Sequence, residues 1–300
     1  MIYTLTLNPA IDVHAKSNGL MLGKENHVLL TERCAGGKGI NVSKALLSYG
    51  IKSKAVTLIP SADDDFSRLL SDTELDICGI DAEGRVRENL TLHDSCGKET
   101  RISMQGSLVC HNLVEKLDSV IVGAKYIVLA GSLPQDVDKA ELKAMLLKKK
   151  SSAAKLVIDS RSFSLEDIRD VSPWLVKPNL EELSHYFGKE IDSSAEAMNF
   201  AHQMRELGVE NVLVSKGADG AVLACASGAY EKSAPKINAV STIGAGDSAV
   251  AGFIVASMLS SSPDDMLRYS LAFGSAACLE AGTNPPTRVN INKLLSDSID

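Results

Sequence analysis

Short apolar runs alternate with helical patterns along most of the chain. The apolar runs predict strands buried on both faces of a sheet, at residues 2–7, 54–59, 126–130, 155–159, 174–177 and 211–215. Helical patterns cover residues 40–49, 180–187 and 194–207, and each is followed at once by a glycine. Glycine readily adopts the left-handed conformation that ends a helix. The alternation predicts an α/β fold with a mainly parallel sheet covered by helices.

Two segments interrupt this alternation. Residues 13–33 and 85–104 alternate polar with apolar positions, and they place glycines at predicted turns, namely Gly19, Gly23, Gly84 and Gly97. Such segments suit antiparallel strands that project from the main sheet as a lid. Because the chain shows no internal repeat or Pro-rich linker, we predict one domain over residues 1–300, with lid segments at about 13–33 and 85–104.

Composition narrows the function classes. The 300 residues are 45% apolar and 23% charged, which is ordinary for a globular protein with a substantial core. The net charge of −7 comes without a basic stripe, so we expect no nucleic-acid partner. No apolar run approaches the roughly 20 residues of a membrane span, and the first residues lack a signal-peptide pattern. With six cysteines scattered singly, these features predict a cytoplasmic protein with reduced thiols and no membrane partner.

The stretch from Ser241 to Phe253 carries the strongest chemical signal. Its Gly-Ala-Gly-Asp (244–247) leads into an apolar helix that reaches about Leu259. Unpaired backbone N–H groups at a helix start bind anions, and glycine lets an anion approach closely. Asp247, in the first turn, could accept a proton from an attacking hydroxyl while those amides hold a phosphoryl group. The simpler interpretation is that Asp247 only complements the helix dipole.

A dinucleotide site is a rival interpretation, since residues 244–249 also match G-x-G-x-x-A. That fingerprint follows the first strand of a βαβ unit, whereas this copy lies late in the chain. The acidic residues about 20 positions further on, Asp264 and Asp265, are expected in a Ser/Pro loop. We therefore favour phosphoryl transfer over nicotinamide chemistry.

A second glycine-rich helix start lies at residues 35–41, Ala-Gly-Gly-Lys-Gly-Ile-Asn. It is not a Walker A loop, because Gly39 stands where Ser or Thr must follow the lysine. Lys38 at the positive end of a helix is unfavourable unless an anion offsets it. A sugar phosphate is the natural ligand, and a solvated lysine on a loop is the alternative.

Polar groups also follow three other predicted strands. Asp12 ends the first strand, where ligands of open α/β sheets gather, although Asp after Asn-Pro also fits a turn. Asn179 and Glu182 share a helix face, and could hold magnesium through water or simply form a capping box, the interpretation that the pattern alone favours. Residues 215–220 form a strand followed by a tight turn, which suits nucleotide contacts.

Taken in order, these segments resemble the PfkB family of carbohydrate kinases, which has the ribokinase fold. The resemblance covers nearly the whole chain, at residues 8–12, 36–41, 87–89, 131–134, 177–182, 215–220 and 244–247. Gly-Gly-Lys-Gly-Ile-Asn and Gly-Ala-Gly-Asp at this spacing are specific to the family. Thr-Leu-Asn-Pro-Ala-Ile-Asp and Gly-Ser-Leu-Pro narrow the match to the branch that acts on phosphorylated ketohexoses. The resemblance implies a three-layer α/β/α domain with a small β-sheet lid that closes over the sugar and often pairs subunits as a homodimer.

The resemblance also implies roles for individual residues. Asp247 would be the catalytic base, beside an anion hole formed by the amides of Gly244, Ala245 and Gly246. The substrate side, including the phosphate of the sugar, would be bound by Asp12, Gly37, Lys38, Asn41, Arg87, Asn89 and Arg101. The ATP side would be lined by Lys177, Asn179, Ser215, Gly217, Gly220 and Thr242. Glu182 would hold Mg²⁺, through water.

The expected reaction converts fructose 1-phosphate and ATP to fructose 1,6-bisphosphate, with tagatose 6-phosphate or fructose 6-phosphate as alternative substrates. Three departures from the family pattern leave the substrate open: Asp63–Asp65 stand where relatives often have glycines, Arg161 replaces a serine, and Glu280 lies near the expected adenine pocket. A non-catalytic sugar-phosphate sensor and a nicotinamide oxidoreductase are the distant alternatives.

Overall fold

The computed structural model describes residues 1–61, 64–96, 99–260 and 262–297. Two positions singled out in the sequence, Asp63 and Gly97, lie outside the described residues. All six cysteines are described, and each is a free thiol. Across the described ranges no helix is long and apolar enough to cross a membrane. The cytoplasmic location stays a prediction.

Six of the nine strands described in the main sheet lie at predicted positions. Its nine described strands are β1 (Ile2–Thr6), β4 (Lys54–Pro60), β5 (Asp76–Ala82), β8 (Tyr126–Ala130), β9 (Lys155–Asp159), β10 (Leu175–Val176), β11 (Asn211–Ser215), β12 (Ala221–Cys225) and β13 (Gly228–Lys232). They lie in the order β13-β12-β11-β10-β9-β8-β1-β4-β5. All neighbours from β5 to β11 pair in parallel, and β12 and β13 pair antiparallel. The prediction of a mainly parallel sheet is confirmed, although β5, β12 and β13 were not predicted.

Helices cover both faces of this sheet. They are α1 (Lys38–Ser48), α2 (Asp64–Ser71), α3 (Leu113–Val120), α4 (Lys139–Ser151), α5 (Leu165–Val171), α6 (Leu180–Phe187), α7 (Ser194–Glu206), α8 (Ala245–Leu259), α9 (Pro263–Ala277) and α10 (Arg288–Asp297). Alternate residues of β8 enter two separate cores: Ile127 and Leu129 join one, while Tyr126 and Val128 join the other. A strand buried on both sides requires helices above and below it, so the domain has three layers.

Helix ends depend on local backbone conformation. Gly188 and Gly208, at predicted helix ends, adopt left-handed φ angles of 61° and 98°. α1 begins at Lys38, two residues before the predicted start, because Gly37 already accepts the first helical bond from the amide of Asn41 at 3.0 Å. α9 begins at Pro263, so Asp264 and Asp265 occupy the first turn of a helix, and the loop expected there is wrong.

A second sheet forms at the segments predicted as a lid, and we call this sheet the lid. Its described strands are β2 (Ala10–Ser17), β3 (Leu29–Gly36), β6 (Arg87–Asp94) and β7 (Glu99–Ser103), in the order β3-β2-β6-β7. The outer pairs are antiparallel as predicted, but β2 and β6 pair in parallel. Each is the first strand of a hairpin that runs away from the main sheet. Two hairpins placed side by side in this way meet through strands of the same direction.

Candidate active site

The N-termini of two helices meet at the carboxyl edge of the main sheet. α1 follows Gly37 and α8 follows Gly244, and both glycines have positive φ angles, 121° and 76°. Neither helix has a side-chain cap. The first hydrogen bond within α8 runs from Ser248 N to Gly244 O. The amides before Ser248 therefore have no acceptor within the helix. An uncapped helix start of this kind is suited to binding an anion, and we call this one the candidate anion site.

Asp247 lies in the first turn of α8 and is buried. Asn41 Nδ2, from α1, donates to Asp247 Oδ2 at 2.9 Å. Burial raises the pKa of Asp247 to about 6, and the charge of Asp159 adds to the rise, while Lys38, Asn41 and Lys177 oppose it. A carboxylate with this pKa is ionised at neutral pH and still basic enough to accept a proton.

Asp159 is a candidate site residue that the sequence interpretation did not assign. It ends β9, and its buried carboxylate lies between two lysines: Lys38 Nζ is 3.1 Å from Oδ1 and Lys177 Nζ is 3.6 Å from Oδ2. Burial alone would raise the pKa of Asp159, but the charges of Lys177 and Lys38 outweigh it and lower this pKa. Asp12 was selected because it was predicted to end a buried strand. Asp159 also ends a predicted buried strand, so the same criterion could have identified it.

The two lysines connect Asp159 to both helix starts. Burial opposes the charge of Lys38, but Asp159, Asp247 and Glu182 raise its pKa above the usual value. A Cβ built on Gly246 would lie 3.2 Å from Lys177 Nζ, so this glycine leaves room for the ammonium group at the start of α8. We call Lys38, Asn41, Asp159, Lys177 and Asp247 the cleft floor.

The lid contributes a second polar group, centred on Asp12. This residue lies within β2 and not at the end of the first strand, so its predicted placement is wrong. Asn89 Nδ2 donates to Asp12 Oδ1 at 2.8 Å, and Arg87 Nη1 donates to Asn89 Oδ1 at 3.0 Å. A Cβ on Gly36 would overlap the Asp12 carboxylate, which explains the glycine there. Burial raises the pKa of Asp12. The structure therefore brings together three of the residues predicted for the substrate side.

The three cations predicted for the substrate phosphate have different partners. Lys38 pairs with Asp159 and lies 3.9 Å from Glu182 Oε1, among residues of the floor and the ATP side. Arg87 donates to Asn89 and, at 3.4 Å, to Asn8 O. Arg101 donates to Glu99 Oε2 at 2.9 Å and to Thr242 Oγ1 at 3.1 Å. Among the contacts of the described residues, none joins these three cations.

The contact of Arg101 also links the lid to the loop that precedes α8. Beside it, Ser241 Oγ donates to Glu99 Oε1 at 3.2 Å. The tip of β7 thus touches Ser241 and Thr242, a few residues before the candidate anion site. Sequence spacing gave no signal for this link.

Asn179 and Glu182 form the capping box that the pattern favoured. Glu182 N donates to Asn179 Oδ1 at 2.7 Å, and Asn179 N donates to Glu182 Oε2 at 3.0 Å. Nowhere in the described ranges do three His, Cys, Asp or Glu side chains gather as a metal site. Asp159 Oδ2 is buried without a hydrogen-bond partner. A buried carboxylate oxygen beside Lys177 and a helix-capping glutamate fit Mg²⁺ held mainly by water and phosphate.

The other residues predicted for the ATP side lie on neighbouring strand ends. Ser215 N donates to Pro178 O at 3.0 Å, which joins the end of β11 to the start of α6. Gly217, with φ 61°, has open space where a side chain would begin. Packing requires a glycine at position 220, because a Cβ there would overlap Lys232 O.

The departures from the family pattern also have visible partners. Asp65 pairs with Arg33 Nη1 of the lid at 2.7 Å, which offsets its charge. Glu280 Oε1 accepts from Asn290 Nδ2 at 3.1 Å. Arg161 Nε lies 3.0 Å from Glu182 Oε1.

The chain is similar to known proteins over almost its full length. The model of the family described as pfkB family carbohydrate kinase matches residues 5–290. A 1-phosphofructokinase of Borreliella burgdorferi is 32% identical over 287 residues, which are 93% of this chain and 92% of that protein. A 1-phosphofructokinase of Bacillus subtilis is 32% identical over 290 residues, 94% and 95% of the two chains. A crystal structure of Escherichia coli phosphofructokinase-2 with substrates and products matches with a TM-score of 0.89 at 26% identity, covering 99% and 98%.

Proposed function

The chain belongs to the pfkB family of carbohydrate kinases, and we propose that it transfers phosphate from ATP to fructose 1-phosphate, giving fructose 1,6-bisphosphate. It is a phosphotransferase with an alcohol group as acceptor. The observation that carries the proposal is Asp247, a buried carboxylate with a pKa of about 6 at the uncapped start of α8.

Asp247 acts as the general base in this proposal. It takes the proton of the acceptor hydroxyl as that oxygen attacks phosphorus, and Asn41 holds the carboxylate in place through the 2.9 Å hydrogen bond. The amides of Gly244, Ala245 and Gly246 face the charge that develops on the transferred phosphoryl group. Lys38 and Lys177 add positive charge on the floor, and Asp159 fixes their positions.

The nucleotide would lie on the side of Lys177, Asn179, Ser215, Gly217, Gly220 and Thr242. Mg²⁺, carried by ATP, would neutralise phosphate charge there, with Glu182 and Asp159 as the carboxylates within reach of its water shell. The open space at Gly217 suits a flat nucleotide base or ribose.

On the sugar side, Asp12, Asn89, Gly37 and Asn41 would bind hydroxyl groups, and Arg87 would bind the phosphate of the sugar. The fork of an arginine donates two parallel hydrogen bonds to phosphate. Arg101 would join it when the lid closes. Similarity to 1-phosphofructokinases over more than nine-tenths of the chain favours fructose 1-phosphate.

Fructose 6-phosphate is the second candidate, because the fold matches phosphofructokinase-2 over 99% of the chain. The deciding experiment measures ADP release with fructose 1-phosphate, fructose 6-phosphate, tagatose 6-phosphate and unphosphorylated sugars. We expect the highest kcat/KM with fructose 1-phosphate. A higher value with either 6-phosphate would replace it as substrate, and no turnover with any sugar would refute the proposed function.

We also propose a homodimer formed through the lid. Large apolar side chains are exposed on the lid strands and the loop between β2 and β3, at Leu20, Met21, Leu22, Val28, Leu29, Leu30, Ile102 and Met104. Exposed apolar groups concentrated on one part of a protein indicate an interface. Sedimentation should give a dimer that Leu22→Lys combined with Leu29→Lys dissociates, and a monomeric wild-type chain would refute it.

A further inference from the structure

Arg161 is a cation beside the cleft floor that the proposed mechanism does not use. It lies two residues after Asp159, where the family pattern has a serine. Arg161 Nε donates to Glu182 Oε1 at 3.0 Å, and Nη2 donates to Glu181 Oε1 at 3.3 Å. Lys38 Nζ lies 3.9 Å from the same oxygen of Glu182. One carboxylate oxygen thus places the guanidinium next to the ammonium group that pairs with Asp159.

The charges on this side leave a need for another cation. Three carboxylates, those of Asp159, Glu182 and Asp247, face the two ammonium groups of Lys38 and Lys177, and a fourth, Glu181, lies at the edge beside Arg161. A nucleoside triphosphate adds several more negative charges, and the Mg²⁺ that it carries offsets only part of them. Arg161 is the protein cation that contacts the outer edge of this cluster.

Arg161 is also able to leave its present partners. Its side chain is 59% exposed and that of Glu181 is 79% exposed, so this ion pair contributes little stability. Glu182 keeps its capping bond through Oε2 and its proximity to Lys38 through Oε1. Because a guanidinium has five N–H donors, Arg161 has donors to spare for a phosphate.

We propose that Arg161 is an additional ligand of the nucleotide phosphates in this enzyme. Glu181 and Glu182 hold it at the edge of the site, and it moves onto the polyphosphate when the nucleotide binds. This inference rests on the proposed function, since it needs a nucleotide on the Lys177 side of the cleft. A serine at this position would add no positive charge to the phosphate site, so Arg161 raises the affinity for the nucleotide. Because Arg161 contacts Glu182 on the ATP side, it leaves the affinity for the sugar unchanged.

The test compares Arg161→Ser and Arg161→Lys with the wild-type chain. Arg169→Ser is the matched control, because Arg169 is 57% exposed and pairs with Glu166 at 3.5 Å on α5. Calorimetric titration with MgADP, in the absence of sugar, reads nucleotide affinity directly. Steady-state assays then give KM for ATP and for the sugar phosphate.

Loss of one charge-assisted contact corresponds to about a tenfold change. We expect Arg161→Ser to raise the Kd for MgADP and the KM for ATP by about that factor, with an unchanged KM for the sugar phosphate. Arg161→Lys should recover part of the loss, and Arg169→Ser should match the wild type. An unchanged MgADP Kd in Arg161→Ser would overturn the inference, including when its melting temperature falls, because that pattern means a purely structural role.

The two proposals fail in different ways. If another sugar proves to be the substrate, the MgADP titration still tests Arg161, because no sugar is present. If the wild-type chain binds no MgADP, the kinase function and the role of Arg161 are both overturned.

Discussion

The cleft floor and the inner face of the lid hold their polar groups differently. On the floor, Asp247 and Asp159 are both buried, yet their pKa values move in opposite directions, because Asp159 is flanked by two lysines and Asp247 is held by a neutral amide. On the lid, Arg87 is partly buried and donates to the uncharged oxygens of Asn8 and Asn89, whereas Arg101 is half exposed and donates to the Glu99 carboxylate and the Thr242 hydroxyl. Buried charges fix protonation states and therefore chemistry, whereas exposed groups mainly adjust binding.

The largest effect is expected at Asp247. Asp247→Ala removes the base and the hydrogen-bond partner of Asn41, so kcat should fall by about 10³-fold or more while MgADP still binds. Steady-state kinetics and a nucleotide titration measure the two quantities. A variant with near-normal turnover would contradict the role of the floor in catalysis.

The stability of a second variant, Asp247→Asn, tests separately whether the Asp247 carboxylate is buried and charged. The folded-state pKa of Asp247, about 6, is above its ordinary value of 3.8, so the cost of its buried charge grows as the pH rises from about 4 and is complete above about 6. Asp247→Asn should therefore raise the free energy of unfolding at pH 8 by about 1–3 kcal/mol, as measured by urea unfolding. This gain should vanish below about pH 4. A loss of stability at pH 8 would show that the carboxylate is better compensated than its burial indicates.

Asp159→Asn should have the second largest effect, on stability as well as rate. The change leaves the buried Lys177 without its counter-ion and removes the nearer of two ion-pair partners from the partly exposed Lys38, which costs about 3 kcal/mol in the free energy of unfolding. Misplaced lysines should also lower kcat by about 10²-fold. Urea unfolding and steady-state kinetics check both, and an unchanged urea midpoint would refute the counter-ion role.

A lid substitution should change binding more than chemistry. Arg87→Ala removes a donor near Asp12 and Asn89, so KM for the phosphorylated sugar should rise about tenfold with kcat within about threefold. An unphosphorylated sugar, tested at high concentration, is the control that should show no change. A fall in kcat as large as that of Asp159→Asn would erase the distinction between lid and floor.

The smallest effect is expected at Arg101, whose side chain is 50% exposed. Its bonds to Glu99 and Thr242 are solvent-accessible, so Arg101→Ala should raise KM for the sugar phosphate by only about two- to fivefold. Steady-state kinetics of the variant and the wild type, measured side by side, resolve a change in KM of that size. A change above about tenfold would mean that Arg101 contributes as much to phosphate binding as Arg87, which would contradict the smaller role given to it.

Sequence patterns were most informative where burial is greatest. β1, β8 and β9 are buried on both faces, and their predicted positions agree with the structure to within one residue. β5 was not predicted because Asp76, Gly79 and Asp81 disfavour strands, and its pairing with β4 overrides that preference. The parallel pairing of β2 with β6 depends on how two hairpins are placed, which no local pattern encodes.

The site shows the same division. Asp247, Asn41 and the Asn179–Glu182 cap were identified because helix starts have recognisable residue patterns. The pairing of Lys38 with Asp159 joins residues 121 positions apart, and spacing cannot reveal it. Ion-pair partners depend on tertiary packing. Most charged residues of the site could therefore be identified from the sequence, but their partners could not.

The dependence of kcat on pH tests the central claim, that Asp247 is the catalytic base, most directly. Because the base must be ionised, kcat for fructose 1-phosphate should be constant above about pH 7 and fall tenfold per pH unit below about pH 6. Asp247→Asn should keep only a small residual rate without that limb. A wild-type kcat that stays constant down to pH 5, where Asp247 would be mostly protonated, would contradict the account.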